Sequence, residues 1–272
     1  MSDTNMFAVL RRPRRIWAVA AVHAEAERLR KIHRVLAERF ETGDRLVYLG
    51  NLLGRGPDLH GAINELLNFR RAVIAGPGMF AGDVAVLRGA QEEMWQKLLQ
   101  LQFSANPAEV LGWMLDHGVA STIEAYGSTA HASLQAAREG TLALARWTAS
   151  MRTVMNEMPG HTPLLAALKR AAYSEWEPDS HEAQLLFVHA GIDVSRPLEA
   201  QVDSFWWATG NFSAIAEPYA GYACIVRGYD NSHAGLIKGQ YTLSIDGGCG
   251  SGGSLLAACL SPSGEVLELL DA

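Results

Sequence analysis

The sequence lacks the features that mark several classes of function. It has no excess of cations: 23 Lys and Arg against 29 Asp and Glu leave a formal net charge of −6. A sequence-independent grip on nucleic acid needs a broad basic face, so nucleic acid is not an expected partner. Only three cysteines occur, Cys224, Cys249 and Cys259. Their spacing matches no metal knuckle and their odd number fits no disulfide framework, so they read as buried thiols in a reducing cytoplasm. No apolar run approaches the roughly 18 residues of a spanning helix. Residues 16–22 come nearest to a signal-type segment, and His23 and a charged helix interrupt it at once. Repeats and low-complexity tracts are absent. The expectation is a soluble, cytoplasmic protein with no membrane insertion.

What is present is an ordinary globular balance, 49% hydrophobic and 19% charged residues, enough for one large α/β domain. Arg11, Arg12, Arg14 and Arg15 form the only basic run and read as a flexible, solvated N-terminal tail over 1–15, ahead of a single domain over 16–272. From residue 16 the chain reads strand, turn, helix three times. Apolar runs at 16–22, 45–49 and 84–88 are each followed by a helical stripe: Leu29, Ile32 and Leu36; then Leu59, Ile63 and Leu66; then Met94, Trp95 and Leu98. Such repetition implies an α/β layer architecture with sites at strand ends.

Residues from about 106 to 180 read as an inserted helical cap, with Trp147, Met151, Val154 and Met155 on one helix face. That stripe is more economically a core than a cofactor box. Strands return at 185–188, 223–226, 241–245, 255–260 and 266–269. The glycine-rich stretch 247–253 lies between two of them. It reads as a tight hairpin, since a phosphate-cradling loop would open a helix.

Several fragments, in order, resemble bacterial members of the phosphoprotein phosphatase family, within the calcineurin-like metallophosphoesterases. Ala20-Ala21-Val22-His23-Ala24 stands where that family has Gly-Asp-x-His-Gly. Gly50 through Gly56 stands for Gly-Asp-x-x-Asp-Arg-Gly, and Gly89-Ala90-Gln91-Glu92 for Gly-Asn-His-Glu. Better preserved are Arg55-Gly56-Pro57-Asp58, Leu87-Arg88-Gly89, Trp113 through Gly118 to Thr122, Phe187 through Gly191, Val226-Arg227-Gly228 and Ile245-Asp246-Gly247. The resemblance spans almost the whole chain. It implies a four-layer α/β/β/α sandwich of two mixed sheets.

In that family two cations about 3.5–4 Å apart ionise a bridging water and clamp the phosphoryl group. Carried over residue by residue, the first Asp is Ala21, the bridging Asp is Asn51, the Asn is Ala90 and the last His is Tyr229. Only His23 and His189 remain as metal-ligand types, fewer than the three or more a stable site needs. The general-acid His is Gln91, its orienting Asp is Gly54, and the second phosphate-clamping Arg is Thr209. The first clamp survives as Arg55. The resemblance therefore implies no catalytic residues and no bound metal. It leaves an anion or phosphate crevice of Arg55, His23, His189, Asn51, Gln91 and Tyr229, and Glu92 as a loop anchor.

Asp230 and His233, and less directly Asp83 and Glu25, are the acids and imidazole near enough in sequence to rescue a metal site. Three functions are weighed. The first is a degenerate serine/threonine phosphatase-like protein, a pseudophosphatase that binds, regulates or scaffolds a protein partner, with a phosphorylated partner as one form. The second is a phosphoesterase with a residual site for Mn, Fe or Zn. The third is a structural subunit of a larger assembly.

Overall fold

The computed structural model of the chain describes residues 6–176 and 184–272. The first half gives β1 (Phe7–Arg11), β2 (Ile16–Val19), α1 (Ala26–Arg39), β3 (Arg45–Tyr48), α2 (Leu59–Ile74), β4 (Val84–Val86) and α3 (Ala90–Leu98). α1 forms because Leu29, Ile32 and Leu36 fall on one buried stripe. α2 starts where the Asp58 carboxylate accepts from the amide of Gly61 at 2.8 Å.

The cap comprises α4 (Pro107–Asp116), α5 (Ala120–Ala125), α6 (Ala130–Glu139), α7 (Thr141–Glu157) and α8 (His161–Ala167). Leu111, Ile123, Leu144 and Met151 belong to the same buried cluster as the strands, so these helices pack onto the sandwich as part of its core. The remainder is β5 (Ala171–Glu175), β6 (Leu185–Val188), α9 (Ser204–Trp207), β7 (Cys224–Arg227), β8 (Gly235–Lys238), β9 (Thr242–Asp246), β10 (Leu256–Leu260) and β11 (Val266–Asp271).

The strands make two mixed sheets, ordered β11-β10-β2-β3-β4 and β1-β5-β6-β7-β9-β8. β2, β3 and β4 run parallel, as do β6, β7 and β9. Period-two alternation divides the second sheet's residues: Phe187 and Val226 join the large core between the sheets, while Leu186, Val188 and Ile225 pack outward on Phe205, Trp206 and Phe212. α1 and α2 cover the first sheet, and the short α9 with neighbouring turns covers the second, giving the expected four layers. Among the described residues no helix is long and apolar enough to cross a membrane.

Three expectations need correction. Residues 7–11 of the expected tail form β1, which pairs in parallel with β5. The arginines that follow are held because Asp44 is fully buried and needs a cation: Arg15 reaches it at 2.7 Å and Trp17 Nε1 adds a bond at 3.2 Å. Arg14 pairs with Glu41. Residues 1–5 of that tail lie outside the described ones. Next, the cap ends at Ala167 and not near 180, because Ala171 and Ala172 are buried in β5 between β1 and β6; residues 177–183 are not described. Finally, the stretch 247–253 is no hairpin. It joins β9 to β10, which belong to different sheets, and so crosses from one sheet to the other.

Candidate functional site

The carboxyl ends of the parallel strands of both sheets meet in one crevice, as expected for an open α/β arrangement. His23 follows β2, Asn51 follows β3, Ala90 and Gln91 open α3 after β4, His189 follows β6 and Tyr229 follows β7. Loops from the two sheets are tied directly. The amide of Ala21 donates to the carbonyl of Gly228 at 3.0 Å, and those of Gly228 and Tyr229 donate to that of His189 at 3.1 and 3.0 Å. His23, Ala24, Asn51 and Arg55 all adopt left-handed backbone, with φ of 52°, 59°, 49° and 35°. Side chains other than glycine take that region reluctantly, and such strain concentrates at functional loops.

The centre is neutral. Asn51 Oδ1 accepts from the amide of Gln91 at 2.9 Å, so its Nδ2 is the group that faces His23 Nε2 at 3.2 Å. That network assigns the His23 proton to Nδ1, a buried atom with no partner. His189 is the complement: its Nδ1 donates to the carbonyl of Leu49 at 2.7 Å, leaving Nε2 a buried, unpartnered lone pair. Burial pushes the His23 pKa down to about 3, with the Arg55 charge adding to the shift. It pushes that of His189 down to about 4 against the Leu49 hydrogen bond. Tyr229 stacks on His189 at 5.3 Å and lies 6.0 Å from the His23 ring, filling the space next to both.

Two buried carboxylates frame this centre. Glu92 accepts from the amides of Asn51, Leu53 and Gly89 at 2.9, 2.8 and 2.7 Å, and so anchors the two loops that carry Asn51 and Gln91. Burial raises its pKa, and these amides pull the other way. Asp246 accepts from the amides of Asp230 and Gly248 at 2.8 and 2.9 Å and from His233 Nδ1 at 2.8 Å. Asp246 entered the sequence reading only as part of a matching fragment, with no role. Its position at the mouth of the glycine-rich crossing was the signal for one. That crossing lies on the site: a Cβ on Gly250, at φ +78°, would stand 2.4 Å from the Cβ of His23.

The residues considered as rescuers are engaged elsewhere. Asp230 pairs with Arg227 at 3.0 Å, and Asp83 pairs with Arg45 at 3.1 Å. His233 is held by Asp246, and Glu25 faces Arg28 at 3.8 Å. Gln91 Nε2 donates to the carbonyl of His117 at 2.8 Å. Gly54 leaves the room this needs, since a Cβ there would meet Gln91 Cδ at 2.5 Å. Thr209 sits at the rim, accepting from Asn231 Nδ2 at 2.8 Å.

Above the centre opens a cavity of about 160 Å³ bordered by Arg55, Gln91, Tyr229 and Thr209 and walled by Trp113, His117, Trp206 and Trp207. Trp113 stacks on His117 and meets Trp207 edge-on at 5.6 Å. Sequence reasoning did not assign this aromatic wall to the site, although the adjacent Trp206 and Trp207 stand just ahead of Thr209. Arg55 is exposed and, among the described residues, pairs with no carboxylate.

No family model matches the chain and no curated protein matches it. Among solved structures, one provisionally called a diadenosine tetraphosphatase is 18% identical, with 97% of this chain and 98% of that one covered and a TM-score of 0.52. The chain has a calcineurin-like metallophosphoesterase fold. A serine/threonine phosphatase from Saccharomyces cerevisiae (12% identity, 98% and 83% coverage, TM-score 0.49) and a metallophosphoesterase from Sphaerobacter thermophilus (14%, 95% and 87%, 0.45) are also similar, too distantly to add to the argument.

Metallophosphoesterase folds of this kind imply a metal pair, and the residues here do not fit one. Among the described residues no three His, Cys, Asp or Glu side chains gather as a ligand set. Ala21 and Ala90 offer no donor. Asn51 is uncharged, and both ends of its amide are already bonded. His189 Nε2 alone presents a free lone pair, and one neutral donor cannot offset the mutual repulsion of neighbouring divalent cations.

Proposed function

We propose that this protein is a pseudophosphatase: a metallophosphoesterase-fold protein that recognises a phosphoryl or carboxylate group in the crevice without cleaving it, and so acts as a binding or regulatory module for a protein partner. The observation that carries this reading is the pairing of a neutral, carboxylate-free centre with Arg55, an exposed guanidinium that pairs with no carboxylate among the described residues. An unpaired Arg is a ready fork for phosphate. Gln91 and the Tyr229 hydroxyl, which line the cavity with Arg55, add neutral hydrogen-bonding groups, whereas His23 and His189 lie buried beneath it; the tryptophan wall suits a ligand presented on a polypeptide. A phosphorylated partner fits that combination, and Gln91, where the family has its general-acid His, offers no acid to protonate a leaving oxygen.

The unpartnered His189 Nε2 favours one competing reading, a single-cation residual site. Elemental analysis of dialysed protein, paired with hydrolysis of p-nitrophenyl phosphate with and without manganese, separates the two. The expected outcome is sub-stoichiometric metal, no manganese-stimulated turnover, and phosphopeptide binding that weakens about tenfold in Arg55→Ala. About two equivalents of tightly held manganese, iron or zinc, with turnover abolished in His189→Ala, would overturn the proposal.

A further inference from the structure

A second cavity lies away from the crevice. It encloses about 640 Å³ and shares no lining residue with the crevice cavity. Its origin is topological. β1 is the edge of one sheet and β4 the edge of the other. The Lys169 amide donates to the carbonyl of Val86 at 2.9 Å and the Lys169 carbonyl accepts from the Arg88 amide at 2.7 Å, closing only one end of the β4 edge. Between the two edges a gap remains, lined also by α8 and by the C-terminal half of α2.

Its chemistry is two-sided. Val84, Val86, Leu164 and Leu168 are buried and supply an apolar floor. Arg70 and Arg71, in the last turns of α2, stand at the wall, and among the described residues no Asp or Glu lines the cavity. Asp83, the nearest acid along the chain, is turned away to Arg45. Arg70 reaches the carbonyl of Ala81 only at 3.5 Å, Arg71 bonds Asn68 Oδ1 at 3.2 Å, and neither pairs with a carboxylate among the described residues. Two adjacent guanidiniums with no carboxylate partner among the described residues, beside an apolar floor, complement a ligand with one anionic head and an apolar body. The volume lies within the roughly 300–1,000 Å³ usual for small-molecule sites.

We propose that this inter-sheet cavity is a binding site for an amphipathic anion, an acyl-chain or aryl carboxylate, with its head on Arg70 and Arg71 and its body over Val84, Val86, Leu164 and Leu168. The site is independent of the crevice and of what the crevice binds.

Calorimetric titration of the full chain with dodecanoate, below its micellar concentration, tests it. The expected result is one saturable site, with dodecanol, which has the same chain and no charge, binding at least about tenfold more weakly. Arg70→Glu combined with Arg71→Glu weakens dodecanoate by at least about tenfold. Ala167→Trp, which fills the cavity from its exposed rim, abolishes binding. Melting curves of the variants check that folding is intact, as the exposure or part-exposure of these positions leads us to expect. Absence of saturable binding, equal affinity for dodecanol, or unchanged affinity in either folded variant would overturn the proposal.

Discussion

Glu92 and Asp246 at the walls of the crevice differ from His23 and His189 at its centre. Each carboxylate meets two or three backbone amides, whereas each imidazole keeps one buried nitrogen unpartnered. The walls use charge to hold loops, and the protein itself provides the donors. The centre has no internal source of compensation, and there the chain carries alanine, asparagine and uncharged histidine. The difference teaches that a carboxylate stays buried in this crevice where backbone amides meet it.

The largest effect expected from breaking that comparison is at the wall. Glu92→Ala strands three buried amides and should cost about 3–5 kcal/mol in urea unfolding; a cost below about 1 kcal/mol would show that the carboxylate is not the anchor.

Acid sharpens it from the other side. His33, pushed down to about 4 by burial against its Glu65 hydrogen bond, and His161, pushed down to about 4 by burial and by His60, behave like the central pair. The unfolded chain takes up protons near pH 6.5, and the folded chain does not until about pH 4. Acidification therefore favours unfolding, by about 2 kcal/mol per fully buried His between pH 6.5 and pH 5. Urea midpoints measured from pH 7 to pH 5 should fall, and a flat profile would mean that these rings protonate in place.

The smallest effect is at Arg55. It is exposed and forms no ion pair among the described residues, so Arg55→Ala should shift stability by no more than about 0.5 kcal/mol. A larger loss in the same assay would make it a structural residue and remove it from the ligand site.

Much of the fold was legible because it is written in periodicity. The stripe of Leu29, Ile32 and Leu36 and the buried runs of β2 and β3 leave little alternative. The strands that escaped are short or lie at an edge. β1 is only partly buried and runs into the arginines. β8 is mostly exposed, and β5 follows a helical segment without a break in apolarity. Partnership across the sequence, not local composition, makes them strands. At the site, resemblance located His23, Asn51, Gln91 and His189 at adjoining strand ends. The aromatic wall and the Asp246 clamp depend on which loops cross, and no local pattern encodes that.

The crossing at residues 247–253 also completes the crevice. Cys249 Sγ donates to the carbonyl of Val22 at 3.2 Å, and Arg28 reaches the carbonyl of Ala272 at 2.7 Å. The first strand-end loop is thus enclosed by segments more than 200 residues away in sequence. A polypeptide ending before Asp246 lacks the wall that encloses His23, so occupancy of this site reports that the crossing has docked.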